Sequence, residues 1–349
     1  MKQPEIARNR TIDLIKTVAI WDVVLSHVAV PAFTAGPVGS FAWLTALFWA
    51  SVSHVSVSLF LLASGTLLLS PEKPLSLKKL YTRSIPRLLL ALLFWAACYK
   101  VFNILLWAKL TPAALLQALK ELILFQHEEH LYYLHMMLLV YAFLPATRLL
   151  AQYADRRLLE YLLALWFLLG IAYPTLQTFW PFTLVTGIPT QWKLNMTYAC
   201  IGYTLLGYYL SAYRKPARRL PWLLWFLGGV GLTFGGTWMQ SAAAGSLAPH
   251  FLEGMSVGVC MIAVGVWGLC QTADLSGWLG RLAVYVSRAS FCVFLTHVFF
   301  LKLLARHGVN ALIGPAIVTV PLVTLLVILL SCGAYAVLSR IPGVRRWLL

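Results

Sequence analysis

Charge is what this sequence has least of. Only 11% of its 349 residues are Asp, Glu, Lys or Arg, and acids are the scarcer kind, 11 against 27 bases. Soluble globular chains carry about a quarter charged residues, so a water-soluble bulk is excluded. No polar stretch is long enough for a separate soluble domain, and no heptad array, low-complexity tract or clear repeat occurs. None of the six Cys belongs to a Cys-x-x-Cys pair; Cys98, Cys200, Cys260, Cys270, Cys292 and Cys332 all lie in apolar runs. They read as small buried hydrophobes. The first apolar run follows a basic start (Lys2, Arg8, Arg10) but lacks the small-residue cleavage site of a signal peptide. It is expected to stay as a first span.

What fills the sequence instead is apolar. Hydrophobic residues make up 60% of it, in runs of about 18–24 residues, the length a helix needs to cross ~30 Å of hydrocarbon. The expectation is an all-α polytopic membrane protein of about ten transmembrane helices, one domain over 1–349. The runs are 12–32, 52–70, 86–107, 131–150, 158–174, 195–213, 221–240, 252–270, 288–306 and 316–339. Residues 112–125 are apolar on one face only, as a helix lying along the membrane interface would be.

The formal charge of +16 invites a nucleic-acid reading. The positions of the bases argue against it. They sit in short loops between apolar runs, as cytoplasmic topology signals do. With the N-terminus cytoplasmic, the inside segments collect Lys16, Arg83, Arg87, Arg148, Arg157, Arg214, Arg219, Arg281, Arg288 and Arg340 among others. The outside segments keep only Lys109, Lys120, Lys193, Lys302 and Arg306. This asymmetry predicts both termini in the cytoplasm. Trp43, Trp107, Trp180, Trp192, Trp222 and Trp347 stand near span ends, where interfacial belts hold such side chains.

Ionisable groups in hydrocarbon cost several kcal/mol unless they face a cavity or a partner. The first span carries four: Asp13, Lys16, Asp22 and His27. Lys16 and His27 are eleven residues apart, which returns to nearly the same helix face with a separation of ~16 Å. Such a stripe can hold an anionic carrier at one end while an acid–base group meets a second substrate at the other. The plainer alternative is a snorkelling Lys and a satisfied core His. Asp13 is one turn from Lys16 and is expected to pair with it. In the second span Ser56, Ser58, Ser64 and Gly65 allow close helix approach, and His54 reads as near its outer end. Arg83 and Arg87, one turn apart, suit a pyrophosphate or serve as an ordinary positive-inside cluster.

The densest polar cluster is His127, Glu128, Glu129, His130, Tyr132, Tyr133 and His135. His at i and i+3 is not the zincin spacing, so no metal is expected. A polar lip over an extracytoplasmic site, binding a hydroxyl-rich substrate or relaying protons, fits better. His297 falls in mid-span with no local partner, so it either bonds a neighbouring helix or lines a cavity. His250, Glu253 and His307 read as solvated.

Four of these segments, in order, resemble the acyltransferase 3 family of integral membrane proteins. Asp13-Leu-Ile-Lys16 followed by Leu25-Ser-His27 is similar to the family's first-span motif of a base, ten residues, then His. Ser56 to Gly65 (Ser-Val-Ser-Leu-Phe-Leu-Leu-Ala-Ser-Gly) is similar to its Phe-Met-Ile-Ser-Gly second span. His130 to Tyr141 is similar to its His-Leu-Trp-Phe-Leu segment, with Tyr132 where Trp is usual. Ser290 to His297 (Ser-Phe-Cys-Val-Phe-Leu-Thr-His) is similar to a late Ser-Phe-x-Ile-Tyr-Leu-x-His segment. The short form most resembles the branch that O-acetylates enterobacterial common antigen.

The resemblance implies a bacterial inner-membrane enzyme. It would move an acyl group, usually acetyl, from cytoplasmic acetyl-CoA to a hydroxyl of an extracytoplasmic polysaccharide or lipid-linked sugar. It implies His27 as the essential catalytic histidine, with Lys16 and His297 beside it. Lys16, Arg83, Arg87 and Ser64 would bind the donor; His130, Tyr133, His135 and His54 would face the acceptor. The family's basic pair is commonly Arg-x-x-Arg, whereas here Arg83 and Arg87 are four apart with Pro86 between. Two other classes are compatible with many spans and intramembrane charges. One is a saccharide or lipid transporter or flippase, although the paired short, Gly/Pro-broken spans of inverted repeats are not seen. The other is a non-catalytic partner of a polysaccharide synthase.

Overall fold

The computed structural model describes residues 9–72, 74–184, 196–214, 218–254 and 256–349, with side chains of the helix beginning at Met196 described from 201 on. Lys2, Arg8, Trp192, Lys193 and the Cys200 side chain lie outside the described residues. No strand occurs among them. The helices are α1 (Arg10–Ala35), α2 (Phe41–Ser53), α3 (Ser56–Leu68), α4 (Leu77–Trp107), α5 (Pro112–Ile123), α6 (Tyr132–Tyr153), α7 (Arg156–Leu176), α8 (Met196–Tyr213), α9 (Leu220–Ala244), α10 (Val257–Gln271), α11 (Trp278–Arg306), α12 (Ala316–Leu338) and the short α13 (Pro342–Trp347). Among the described residues nine segments are long and apolar enough to cross a membrane, and α8 adds a further apolar helix of 18 residues. The protein is an all-α polytopic membrane protein.

Capping residues start the helices where the sequence supplies them. Asn9, Ser40, Thr111, Asp155 and Ser256 each accept a hydrogen bond from the third backbone N–H onward, satisfying a donor that would otherwise be orphaned. α5 buries none of its residues, as an amphipathic surface helix should.

α1 is the axis of the bundle, packed by α2, α3, α10, α11 and α12. Its polar positions are used as joints. Ser287 donates to Asp13 Oδ1 at 2.7 Å, and Thr17 donates to the Ala283 carbonyl at 3.0 Å, both tying α1 to α11. α3 and α8 touch backbone to backbone. A Cβ added at Gly65 would stand 1.9 Å from the Thr204 carbonyl oxygen, so only glycine permits this approach.

Three expectations need correction. The second apolar segment reaches back to Phe41, so His54 is not near its end but at the joint between α2 and α3. Residues 41–53 are mostly apolar, but Ser51, Ser53 and His54 imitate the polar end of a span. α11 begins at Trp278, ten residues before the expected start, because its first turns carry Arg281 and Arg288 on an exposed face. Trp43 is not interfacial; it is fully buried in the cluster around α1. The cysteines behave as read: Cys260, Cys270 and Cys292 are buried and Cys98 and Cys332 half-buried.

Candidate active site

Two cavities enter the bundle and stop at a shared wall. The first, about 630 Å³, opens beside the basic start of α4. Lys16, Ser64, Lys79, Arg83, Arg87 and Tyr141 supply its polar lining. The local geometry explains the cation row. On a plain α-helix, residues spaced by four drift by ~40° at each step. Here a π turn over Leu80–Ser84 widens the helix, which brings Lys79, Arg83 and Arg87 closer to one line. A π turn holds one extra residue. The extra residue falls between Lys79 and Ile85, so it sets how Lys79 stands relative to the arginines. Arg87 donates to the Leu349 carbonyl at 2.8 Å, and Trp95 to that of Leu348 at 3.1 Å, so the end of α13 packs against the same mouth.

The second cavity, about 600 Å³, holds His27, His54, His130, Glu129, Tyr203 and Glu253. At its base three imidazoles form a triangle: His27 to His297 5.2 Å, His130 to His297 5.3 Å and His27 to His130 6.3 Å between ring centroids. His297 is fully buried and its Nδ1–H donates to the carbonyls of Phe294 at 2.8 Å and Val293 at 3.1 Å. Those bonds fix the tautomer, leaving Nε2 as a bare acceptor; among the described residues it has no partner, and neither has Nε2 of buried His130. His54 is fixed the same way, its Nδ1–H donating to Ala50 at 2.7 Å. Pro31 lacks the N–H that would bond the His27 carbonyl one turn back, and both residues line this cavity. A hydroxyl placed among these groups meets several proton acceptors in a low-dielectric setting, which is what general-base chemistry requires.

The expected residues divide cleanly. Lys16, Ser64, Arg83 and Arg87 line the basic cavity; His27, His54 and His130 line the other; Tyr133 lines both. Its hydroxyl shares a hydrogen bond with Ser64. His297 completes the triangle from behind. His135 lines neither cavity. Its Nε2–H donates to His127 Nδ1 at 3.3 Å, while His127 Nε2–H donates to the Leu122 carbonyl at 3.3 Å. Burial holds the His127 imidazole below its ordinary pKa, against the pull of the Leu122 carbonyl. Glu128 is bound by Lys302 at 2.9 Å and by Asn103 at 2.5 Å. The polar cluster at 127–135 is thus dispersed: His130 and Glu129 face the cavity, while His127, Glu128 and His135 brace α4, α5, α6 and α11. His250 and Glu253 are exposed, 56% and 63%, as read.

Sequence reading missed Lys79 and Phe294. Lys79 stands four before Arg83, a spacing that could have been extended backward. Phe294 lies inside the Ser290–His297 segment but looks like any lipid-facing aromatic.

A bundle that meets a cationic cavity with a cavity lined by imidazoles has the parts of a membrane-embedded group-transfer enzyme. The chain belongs to the acyltransferase 3 family, whose acyltransferase-domain model matches residues 9–336, and it is an acyltransferase. No significant match to a curated protein or to a solved structure was found.

Proposed function

We propose that the protein transfers an acyl group, acetyl in the simplest case, from cytoplasmic acyl-CoA to a hydroxyl of an extracytoplasmic polysaccharide or lipid-linked sugar in a bacterial inner membrane. The observation that carries this reading is the pair of cavities meeting beside His27, one cationic and one imidazole-lined. Lys79, Arg83 and Arg87 suit the phosphates of CoA, since guanidinium groups bind them bidentately, and Lys16 adds charge where the pantetheine arm would enter. His27 removes the acceptor proton as the hydroxyl attacks the thioester carbonyl. The C–S bond breaks, the ester C–O bond forms, and the thiolate leaves toward the basic cavity. His297 and His130 hold His27 in orientation and provide the next sites for its proton. His54 and Tyr133 flank the acceptor path, and His135 supports it from outside.

The test is His27→Ala. Transfer of labelled acetate from acetyl-CoA to glycan in membrane vesicles falls by about 10²–10⁴-fold, while membrane insertion is unchanged. Normal acetylation in that variant refutes the assignment. The same assay separates this reading from a transporter or flippase, which would move saccharide without incorporating acetate.

A further inference from the structure

The two cavities are held apart by very little. Tyr133 and Phe294 line both. Their rings meet edge to face with centroids 5.5 Å apart, and Phe60 lies 5.7 Å from Tyr133 on the basic side. Directly behind Phe294 stand His130 at 5.7 Å and His297 at 6.3 Å. The partition is therefore one aromatic layer, supplied by α3, α6 and α11. The only polar side-chain atom among the three is the Tyr133 hydroxyl, bonded to Ser64. The rest is van der Waals contact, and an aromatic side chain can change rotamer without moving its backbone.

We propose that Tyr133 and Phe294, backed by Phe60, form an acyl-selecting seal. The acyl end of the donor passes between these rings to reach His27, and the rings close against water and protons when no donor is threaded. The first half rests on the acyl-transfer reading; the second does not. Two requirements converge on this layer. A thioester carried from Arg83 and Arg87 toward His27 has to cross it. A membrane protein with polar cavities from both faces needs an apolar constriction between them, or it conducts. An unbranched acyl chain is as slim as the pantetheine arm behind it and parts the rings by one rotation of Tyr133. A branched acyl group demands a wider gap, and one methyl group of misfit is worth on the order of 10–200-fold in discrimination.

Proteoliposomes containing the full chain decide it. Under an imposed pH gradient, read by an internal pH dye, the wild type and Tyr133→Phe stay proton-tight, whereas Tyr133→Ala and Phe294→Ala leak. In the same vesicles, consumption of isobutyryl-CoA relative to acetyl-CoA rises about tenfold in the two Ala variants. Should either fail to assemble, Tyr133→Leu and Phe294→Leu keep most of the apolar volume and show the same changes in smaller measure. Assembled variants that remain proton-tight with the wild-type acyl ratio overturn the proposal. The leak assay uses no acyl donor, so failure of the seal and failure of the acyl-transfer reading are told apart.

Discussion

At His27 three features coincide on one turn of helix: a cavity in front, two imidazoles beside it, and Pro31 withholding a backbone donor behind. In the basic cavity the cations divide their work differently. Arg83 and Arg87 are exposed at the cavity mouth, so their proposed contribution is to donor affinity rather than to the chemical step. Replacing Arg83 by Ala is expected to raise KM for acetyl-CoA about tenfold with kcat nearly unchanged, as loss of uniform binding does. Arg83→Lys recovers only part of this, because an ammonium cannot reproduce the bidentate fork. Steady-state kinetics against acetyl-CoA concentration checks both. The Lys16–His27 stripe was legible because helical periodicity needs no partner to be seen. The triangle was not, because His130 comes from the turn before α6 and His297 from α11, and only tertiary packing brings them to α1.

Elements carry the next layer of the account. The π turn of α4 lets four-residue spacing present three cations to one cavity. Deleting Thr82 would remove the extra residue and leave Lys79 and Arg83 three apart on a plain α-helix, ~60° off one line. The expected result is weaker CoA retention, measured by equilibrium binding to the purified protein, with the fold intact. No sequence signal marks a π turn. The brace at 127–135 makes a second prediction. The folded state holds His127 neutral, so the unfolded state binds the proton more readily. Stability contributed by that site is present above the ordinary pKa of 6.5 and is lost as pH falls through the lowered folded value. Protection factors over α5 and the start of α6, taken against the intrinsic exchange rate at each pH, should fall below about pH 6.5, and His127→Gln should flatten that dependence. That 112–123 forms a helix of its own was legible from its one-sided apolarity, while the start of α11 was not, since charged first turns imitate a loop.

For the whole molecule, the distribution of bases proposes the orientation and the cavities propose the direction of transfer. The basic cavity, proposed as cytoplasmic, is lined by both Lys16 near the start of α1 and Leu349. Tags at the N- and C-terminus should then be protected from protease in intact cells and cleaved in inverted vesicles. Composition made the class plain from the outset, because a chain this poor in charge has no soluble alternative. The meeting of two cavities at one aromatic layer lay beyond any linear reading.

The most direct measurement is a cryo-EM structure of the protein with CoA bound. The account predicts density for the nucleotide phosphates on Lys79, Arg83 and Arg87, and a pantetheine arm passing between Tyr133 and Phe294. The thiol should end beside His27, where an acyl carbonyl and an acceptor hydroxyl can come within about 3–3.5 Å of each other. CoA bound elsewhere, or an arm that turns away with the aromatic layer still closed in front of His27, would contradict it.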